Sequence, residues 1–453
     1  MPRVTIAPLL KNVLIGSAAA FLCKLFASAL GFAMFALSSR AMDQSSFGSL
    51  AIYFNALAFI SVAALAGQET LVIRSWDEYR VSGRPALARG VLGFSAGVSL
   101  SGTLSFALAT GVLWAAWDRT APAALIASGC AFLLLNGLLQ FTSQLARVVV
   151  DLVRSELVRE LSWRLLAVAV ICFYWWRGLE FGATQFFSIC AIALSLAITV
   201  QVWQIWSCLP ASVRHARPEH QRLAWSVRSF KMWIAVLLDV ASQYLEVVFV
   251  GFVLGPGSAA FYFVITRITS IFAMISAGVS IYASSRISAL YYSSARPELQ
   301  QVLRALAIIN LIVSGCALLI IIVAGKVLLW FFGPGYVSAY EYLMVMGLGA
   351  AAGTLAGPAR HVLLLTGHEG VYAAIMGPAL VVRMLLITVL GLMFGLGGTV
   401  VGWSLSTVLM TVALIVGSRR LVGVDPSLAF AIWQPNPGLD RPQGGSLVDE
   451  APR

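Results

Sequence analysis

Charge is what this chain lacks most. Only 11% of its 453 residues are charged, against about 25% in soluble domains. With 60% hydrophobic residues and a mean hydropathy of +0.89, a water-soluble core of this length cannot hide the apolar surface. The solvent is therefore lipid. Cysteine is sparse. The six (23, 130, 172, 190, 208, 316) fall in or beside apolar runs with no ligand spacing, so they read as small buried hydrophobes rather than disulfides or zinc ligands. His215, His220, His361 and His368 show no metal spacing. A GxxxxGKS/T nucleotide loop is missing, which excludes ATP hydrolysis by that route. No Ser or Cys has a suitable base and orienting acid. The expectation is a protein that is no enzyme and takes no metal or cofactor.

What is present is a series of apolar runs. Twelve of roughly 20 residues mark spanning helices, at about 12–38, 47–70, 90–117, 121–145, 160–177, 183–206, 230–254, 259–283, 304–332, 339–365, 370–395 and 398–417. The fifth is the weakest, because Arg164 and Arg177 crowd its ends, where both can snorkel to the interface. The first run is too long for a cleavable signal and lacks a small-residue cleavage site. Basic residues set the orientation. With residue 1 cytoplasmic, the cytoplasmic segments hold 22 of the 30 Lys and Arg, the opposite side four and the spans four. Both ends of the chain are thus expected in the cytoplasm. The net charge of +11 is mostly this topology signal, so nucleic acid is not an expected partner. No outside loop exceeds about a dozen residues, which leaves little room for chemistry outside the membrane. The segment 421–453, rich in Pro, Gly and charge, reads as a disordered cytoplasmic tail.

The longest loop, 210–229, divides the spans six and six, giving lobes at 1–209 and 230–420. A shift of 212 residues overlays them: "SSRAMDQSSFGSLAIY" (38–53) falls on "VGFVLGPGSAAFYFVI" (250–265). Six is even, so both halves enter from one side and the repeat is parallel, about an axis along the membrane normal. The expected fold is an all-α polytopic membrane protein of twelve transmembrane helices in two such lobes. Transporters built this way place a cavity between lobes and open it alternately to each face. Gly93, Gly97, Ser101 and Ser105 in span three, and Gly349, Gly353 and Gly357 in span ten, form strips suited to close helix packing. Pro358 and Pro378 are expected to kink their spans.

Six charges fall within or near the membrane: Lys24, Asp239, Glu246, Arg267, Arg360 and Arg383. Each costs about 2.5–3.5 kcal/mol at mid-membrane on insertion scales. Glu246 and Arg267 lie at one level on adjacent antiparallel spans, which suits a pair, read either as a structural hairpin clamp or as a gate. Lys24 is about 18 Å from the cytoplasmic end of span one at 1.5 Å per residue. The repeat shift puts its counterpart within one turn of Asp239, so the two opposite charges sit at matching depths and suit either a shared cavity or a buried pair. Arg383 is also near mid-membrane. Arg360 is close enough to the cytoplasmic end to snorkel. Lys24 and Arg383 are therefore the candidate cavity residues, with Asp239, Glu246 and Arg267 as candidates for gating or ion coupling. The sum, four positive and two negative, suits an anionic substrate.

"LSSRAMDQSSFGSLAIYFNALAFISVAALAGQETLVIRSW" (37–76) resembles the opening of Wzx-type polysaccharide flippases, the oligosaccharidyl-lipid translocases of the multidrug/oligosaccharidyl-lipid/polysaccharide (MOP) exporter superfamily. Arg40, Phe47-Gly48, Gly67 and Arg74 match that pattern, while Met42-Asp43-Gln44 departs from its Leu-Gly-Pro turn. "LEVVFVGFVLGPGSAAFYFVITRI" (245–268) is similar to the second-half pattern, with Glu246 where Asp is usual and Gly255-Pro256, Tyr262 and Arg267 in register. "FFGPGYVSAYEYL" (331–343) and "GPARHVLLLTGHEG" (357–370) also match. The resemblance implies a MATE-like monomer that moves an undecaprenyl-pyrophosphate-linked oligosaccharide from the cytoplasmic to the outer leaflet of a bacterial inner membrane. It also implies membrane lipid, a polysaccharide polymerase and a chain-length regulator as partners. Two alternatives stay open: a drug or metabolite antiporter on the same scaffold, and a lipid II flippase, a group that usually has fourteen spans.

Overall fold

The computed structural model describes residues 6–292, 296–356, 359–365 and 369–422, with no side-chain description for 6–21, 275–297, 361, 364–369 and 421–422. The chain runs α1 (Ile6–Arg40), α2 (Gln44–Ala63), α3 (Gln68–Val81), α4 (Pro85–Trp117), α5 (Ala123–Val149) and α6 (Leu152–Glu156). A π-helical turn, Leu157–Ser162, leads into α7 (Trp163–Arg177), followed by α8 (Ala183–Cys208), α9 (Ala211–Arg214), α10 (Arg222–Leu254) and α11 (Pro256–Tyr292). Then come α12 (Arg296–Phe332), a 3-10 turn (Pro334–Ala339), α13 (Tyr340–Thr354), α14 (Ala359–Leu365), α15 (Glu369–Gly417) and a π-turn (Ser418–Val422). No strand occurs among the described residues. The expected tail lies outside them, apart from its first two residues.

Among the described residues, nine helices are long and apolar enough to cross a membrane. The twelve expected spans map onto these and three special cases. The fifth, α7, is only 15 residues and extends the π-turn before it. The tenth is broken between Thr354 and Ala359 into α13 and α14. The eleventh and twelfth run on as α15, whose chain folds back at Gly395 (φ 62°, ψ −145°). That backbone conformation favours a residue without a Cβ. The two limbs then pack so closely that a Cβ on Gly398 would lie 1.9 Å from the Leu390 carbonyl oxygen. Pro378 sits inside α15, whose helical backbone departs only at Gly395, and Pro358 lies outside the described residues. The loop expected at 210–229 is shorter, because α9 and the start of α10 at Arg222 take up part of it.

The 212-residue shift recurs in the helix boundaries. The helix starting at Gln44 corresponds to the one starting at Pro256, and α8, starting at Ala183, corresponds to the limb that begins at Gly395. The two starts use different chemistry at the same place. Asp43 caps α2, its Oδ2 accepting from the Ser45 and Ser46 N–H groups at 3.0 Å each. Bonds from Ser46 and then Ser45 hold its carboxyl below the usual range. In the second half Gly255, at φ +83°, turns the chain and Pro256 occupies the first position of α11. The departure of Met42-Asp43-Gln44 from Leu-Gly-Pro is thus a change of cap.

The two halves meet chiefly where α2 packs against α10 and α11. At the end assigned to the outside by the basic residues, a Cβ on Gly48 would lie 1.8 Å from the Pro256 carbonyl oxygen. Gly48→Val should therefore force the halves apart there, at an overpacking cost of about 1–3 kcal/mol or more. A lowered thermal midpoint of the purified protein checks this. The small-residue strips divide. Gly349 and Gly353 pack on Ser404 and Thr407, whereas Gly93 and Gly97 meet nothing within 4 Å and face outward.

Candidate functional site

A cavity of about 340 Å³ lies between the halves. The first half contributes Lys24 from α1, Asn136 and Gln140 from α5, Glu160 from the π-turn and Arg164 from α7. The second contributes Tyr244 from α10 and Arg267 from α11. The lining holds three cations and one carboxylate. That carboxylate is engaged, since Glu160 accepts from Arg164 at 2.5 Å and lies 3.6 Å from Arg159. Neither the Lys24 ammonium nor the Arg267 guanidinium forms an ion pair or hydrogen bond with any described residue. Arg267 instead lies against aromatic faces, its Cζ 4.6 Å from the Phe263 ring centroid, 5.1 Å from Phe35 and 5.8 Å from Phe54. Such contacts stabilise a cation while leaving its N–H donors free. Arg267 is about 16 Å along α11 from the outer helix start, and Lys24 about 24 Å along α1 from Arg40, at 1.5 Å per residue. Both belong to the membrane interior.

No protein-family model matches this chain, and no curated protein sequence does. Solved structures do. One is the inward-facing conformation of a multidrug resistance MATE family transporter of the MOP superfamily, with 12% identity over 90% of this chain and 98% of that one and a TM-score of 0.71. A mutant of the Vibrio cholerae MATE transporter VcmN gives 14% identity over 91% and 97%, with a TM-score of 0.66. A Pyrococcus furiosus MOP superfamily transporter gives 13% over 91% and 96% and a TM-score of 0.63; its binding pocket is described as reversed in polarity, suggesting a different function. The fold is that of the MATE transporters.

Within this MATE fold the cavity is closed toward the outer end. Arg40 on α1 donates to the Phe331 carbonyl through Nε at 2.8 Å and to the Trp330 carbonyl through Nη2 at 2.7 Å. Its guanidinium also lies 4.5 Å from the Trp330 ring centroid. Ser39 donates to the Phe332 carbonyl at 2.7 Å and Gln44 to the Gly257 carbonyl at 3.2 Å. Beneath this seal Phe32, Phe35, Phe54, Phe263 and Phe332 pack edge to face. Every bond of the seal crosses between the two halves.

The other intramembrane charges neutralise in pairs, and not as the sequence suggested. Glu246 does not pair with Arg267. Its Oε1 accepts from Arg383 Nη1 at 3.0 Å and its Oε2 from the Tyr262 hydroxyl at 3.2 Å. Arg383 Nε and Nη2 donate to Ser406 and Thr407 Oγ atoms at 3.1 Å each. Arg383 is therefore not on the passage beside Lys24. It is buried within the second half, where it ties both limbs of α15 to α10. The reason is the fold-back at Gly395, which sequence periodicity does not place in space and which brings Ser406 and Thr407 opposite Arg383. Asp239 does not share the Lys24 cavity either, because Arg360 Nη2 pairs with it at 2.8 Å. Arg360 thus has a partner rather than simply snorkelling.

Of the six charges, Lys24 and Arg267 are the two left unpaired among the described residues, and both line the cavity. Sequence reasoning missed Arg164, read as an interfacial residue, and Glu160 beside it. The signal was there: Glu160 and Arg164 are four apart, the spacing of a helical ion pair, inside the most polar span.

Proposed function

We propose that this chain is a transporter of the MOP superfamily that flips an undecaprenyl-pyrophosphate-linked oligosaccharide across the bacterial inner membrane by alternating access. The observation that supports this reading is the excess of unpaired positive charge in the cavity between the lobes. An anionic headgroup cannot cross hydrocarbon unaided. Lys24 and Arg267 offer charge-assisted hydrogen bonds to phosphate oxygens, with Arg164 at the same wall and Asn136, Gln140 and Tyr244 as polar lining. The cavity falls within the range of small-molecule sites, about 300–1,000 Å³. That size suits the pyrophosphate and its nearest sugar, while the polyprenyl tail stays in the bilayer. An inside-negative potential favours the outward step of an anion, by roughly 4.6 kcal/mol for two charges at 100 mV.

A carrier of organic cations needs an unopposed acid in its cavity, and Glu160 is held by Arg164 and Arg159. The charge of the cavity therefore favours the anion reading over a drug antiporter. Deletion of the gene tests it. Lipid-linked glycan should accumulate on the cytoplasmic side and surface polysaccharide should be lost, both restored by the intact chain. Normal surface polymer in the deletion strain would refute the substrate assignment.

A further inference from the structure

A connected set of ion pairs ends at the cavity wall. Glu160, the single carboxylate among the lining residues, sits in the π-turn that precedes α7. Its Oε2 accepts from Arg164 Nη1 at 2.5 Å, and its Oε1 lies 3.6 Å from Arg159 Nε. Arg159 Nη1 lies 3.8 Å from Glu156 Oε1, which also pairs with Arg147 Nη2 of α5 at 3.2 Å. The result is one alternating row: Arg164, Glu160, Arg159, Glu156, Arg147. It leads from the cavity wall to Arg147 in the last turn of α5, whose side chain is 36% exposed.

The row holds three arginines, Arg147, Arg159 and Arg164, and two carboxylates, Glu156 and Glu160, so one arginine is in excess. Which one depends on where Glu160 sits. With Glu160 wholly on Arg159, Glu156 remains with Arg147, a neutral set of two and two is left, and Arg164 is free. Both partners of Glu160 are already within reach, one on each carboxylate oxygen, so the change needs only side-chain rotation. Arg164 suits either use. Its Nη1 alone is bonded, to the Glu160 carboxylate and to the Glu160 carbonyl at 2.6 Å, and its other N–H groups donate to no described residue. Its Cζ lies 4.8 Å from the Trp163 ring centroid, a contact that leaves donors open.

Lys24, Arg164 and Arg267 line one cavity of about 340 Å³. Three like charges in that space repel one another, and Glu160 offsets one of them while the cavity is empty. A phosphate group that enters beside Arg164 meets the Glu160 carboxylate on the same guanidinium. Two anions there repel in turn, and the carboxylate has Arg159 to move to.

We propose that Glu160 is a stand-in for the substrate anion: its carboxylate holds Arg164 while the cavity is empty and shifts onto Arg159 when a phosphate group takes Arg164. The affinity of the site is thereby lowered, because the arrangement that accepts the anion is not the one populated at rest. After release, the return of Glu160 restores a neutral contact at Arg164. The inference rests on the anionic-substrate reading of the cavity.

The test uses the full chain in phosphatidylcholine nanodiscs, with inorganic pyrophosphate as the probe and calorimetric titration as the measurement. Glu160→Gln keeps the side-chain volume and removes the competing charge. It should tighten binding by about 5- to 150-fold, the usual range of a coupling between two sites. Arg164→Ala on that background should remove the gain. Arg159→Gln takes away the place to which Glu160 moves, so it should weaken binding on the wild-type background and leave it unchanged on the Glu160→Gln background. A through-space charge effect would weaken both. Should Glu160→Gln fold poorly, Arg159→Gln alone decides, and unchanged binding there counts against the exchange. A Glu160 that merely positions Arg164 predicts weaker binding in Glu160→Gln. Weaker or unchanged binding in Glu160→Gln, or a gain that survives Arg164→Ala, overturns the proposal and leaves the anion reading standing as long as wild type binds. No binding in wild type and Glu160→Gln alike overturns both. If the exchange is observed while the deletion strain exports polymer normally, the lipid-linked glycan falls as substrate and Glu160 keeps its role.

Discussion

Lys24→Ala and Arg267→Ala should each cut export by at least tenfold while the protein remains inserted and abundant. The two side chains are cations without an ion-pair partner that line one cavity, Lys24 from the first half and Arg267 from the second. Hydrogen bonds to charged groups contribute about 1.5–3 kcal/mol, which corresponds to roughly a 10- to 150-fold change. Removing Lys24 orphans no protein group, since none is bonded to it, so folding should be little affected. Removing Arg267 forfeits its ring contacts, a cost of about 0.5–2 kcal/mol. Surface polymer, scored against the amount of protein in the membrane, separates transport from folding. If both cations grip the same diphosphate, the double variant should fall short of the product of the single effects. Wild-type export in either single variant would remove that residue from the site.

Glu246→Ala should do the opposite, damaging the fold first. It leaves the Arg383 guanidinium buried without its carboxylate, and breaking a buried pair from one side costs about 3–5 kcal/mol. Arg383→Ala should be comparably harmful, because it leaves the buried Glu246 carboxylate without its counter-charge. Replacing both with Leu should recover most of the loss, since apolar replacement of a whole buried pair is often neutral or stabilising. The thermal midpoint and the yield of monodisperse detergent-solubilised protein measure this. An exchange of Glu246 with Arg267 should rescue nothing, because the structure gives them no contact. Recovery in that exchange would mean that the pairing differs from the one described.

These two sets of residues show where sequence reading reached and where it stopped. Depth along a helix can be counted at a fixed rise per residue, so Lys24, Arg267, Asp239, Glu246 and Arg383 could all be placed in the membrane interior from the chain alone. Direction around the helix is another matter in lipid. An apolar stripe faces acyl chains as readily as it faces a neighbour, so amphipathic patterning gives little to orient by. The expected Glu246–Arg267 pair satisfied depth and failed on direction, because Arg267 points into the cavity and Glu246 points away from it. The same ambiguity covers the small-residue strips, of which one packs and one faces outward. Arg164 was missed because a basic residue near a span end is ordinarily interfacial, and only the packing of α7 against α1 carries it to the cavity wall.

By itself the sequence determined the lipid solvent, the all-α class and the order of the spans, and it set the expected orientation and repeat. Each follows from a one-dimensional quantity: apolar length, basic-residue count or a constant shift of 212 positions. Only the tertiary structure decided which charges cancel and which remain. Partner choice depends on how helices are rotated and on the fold-back at Gly395, and it is this choice that leaves Lys24 and Arg267 facing one cavity and Glu160 between Arg164 and Arg159 at its wall.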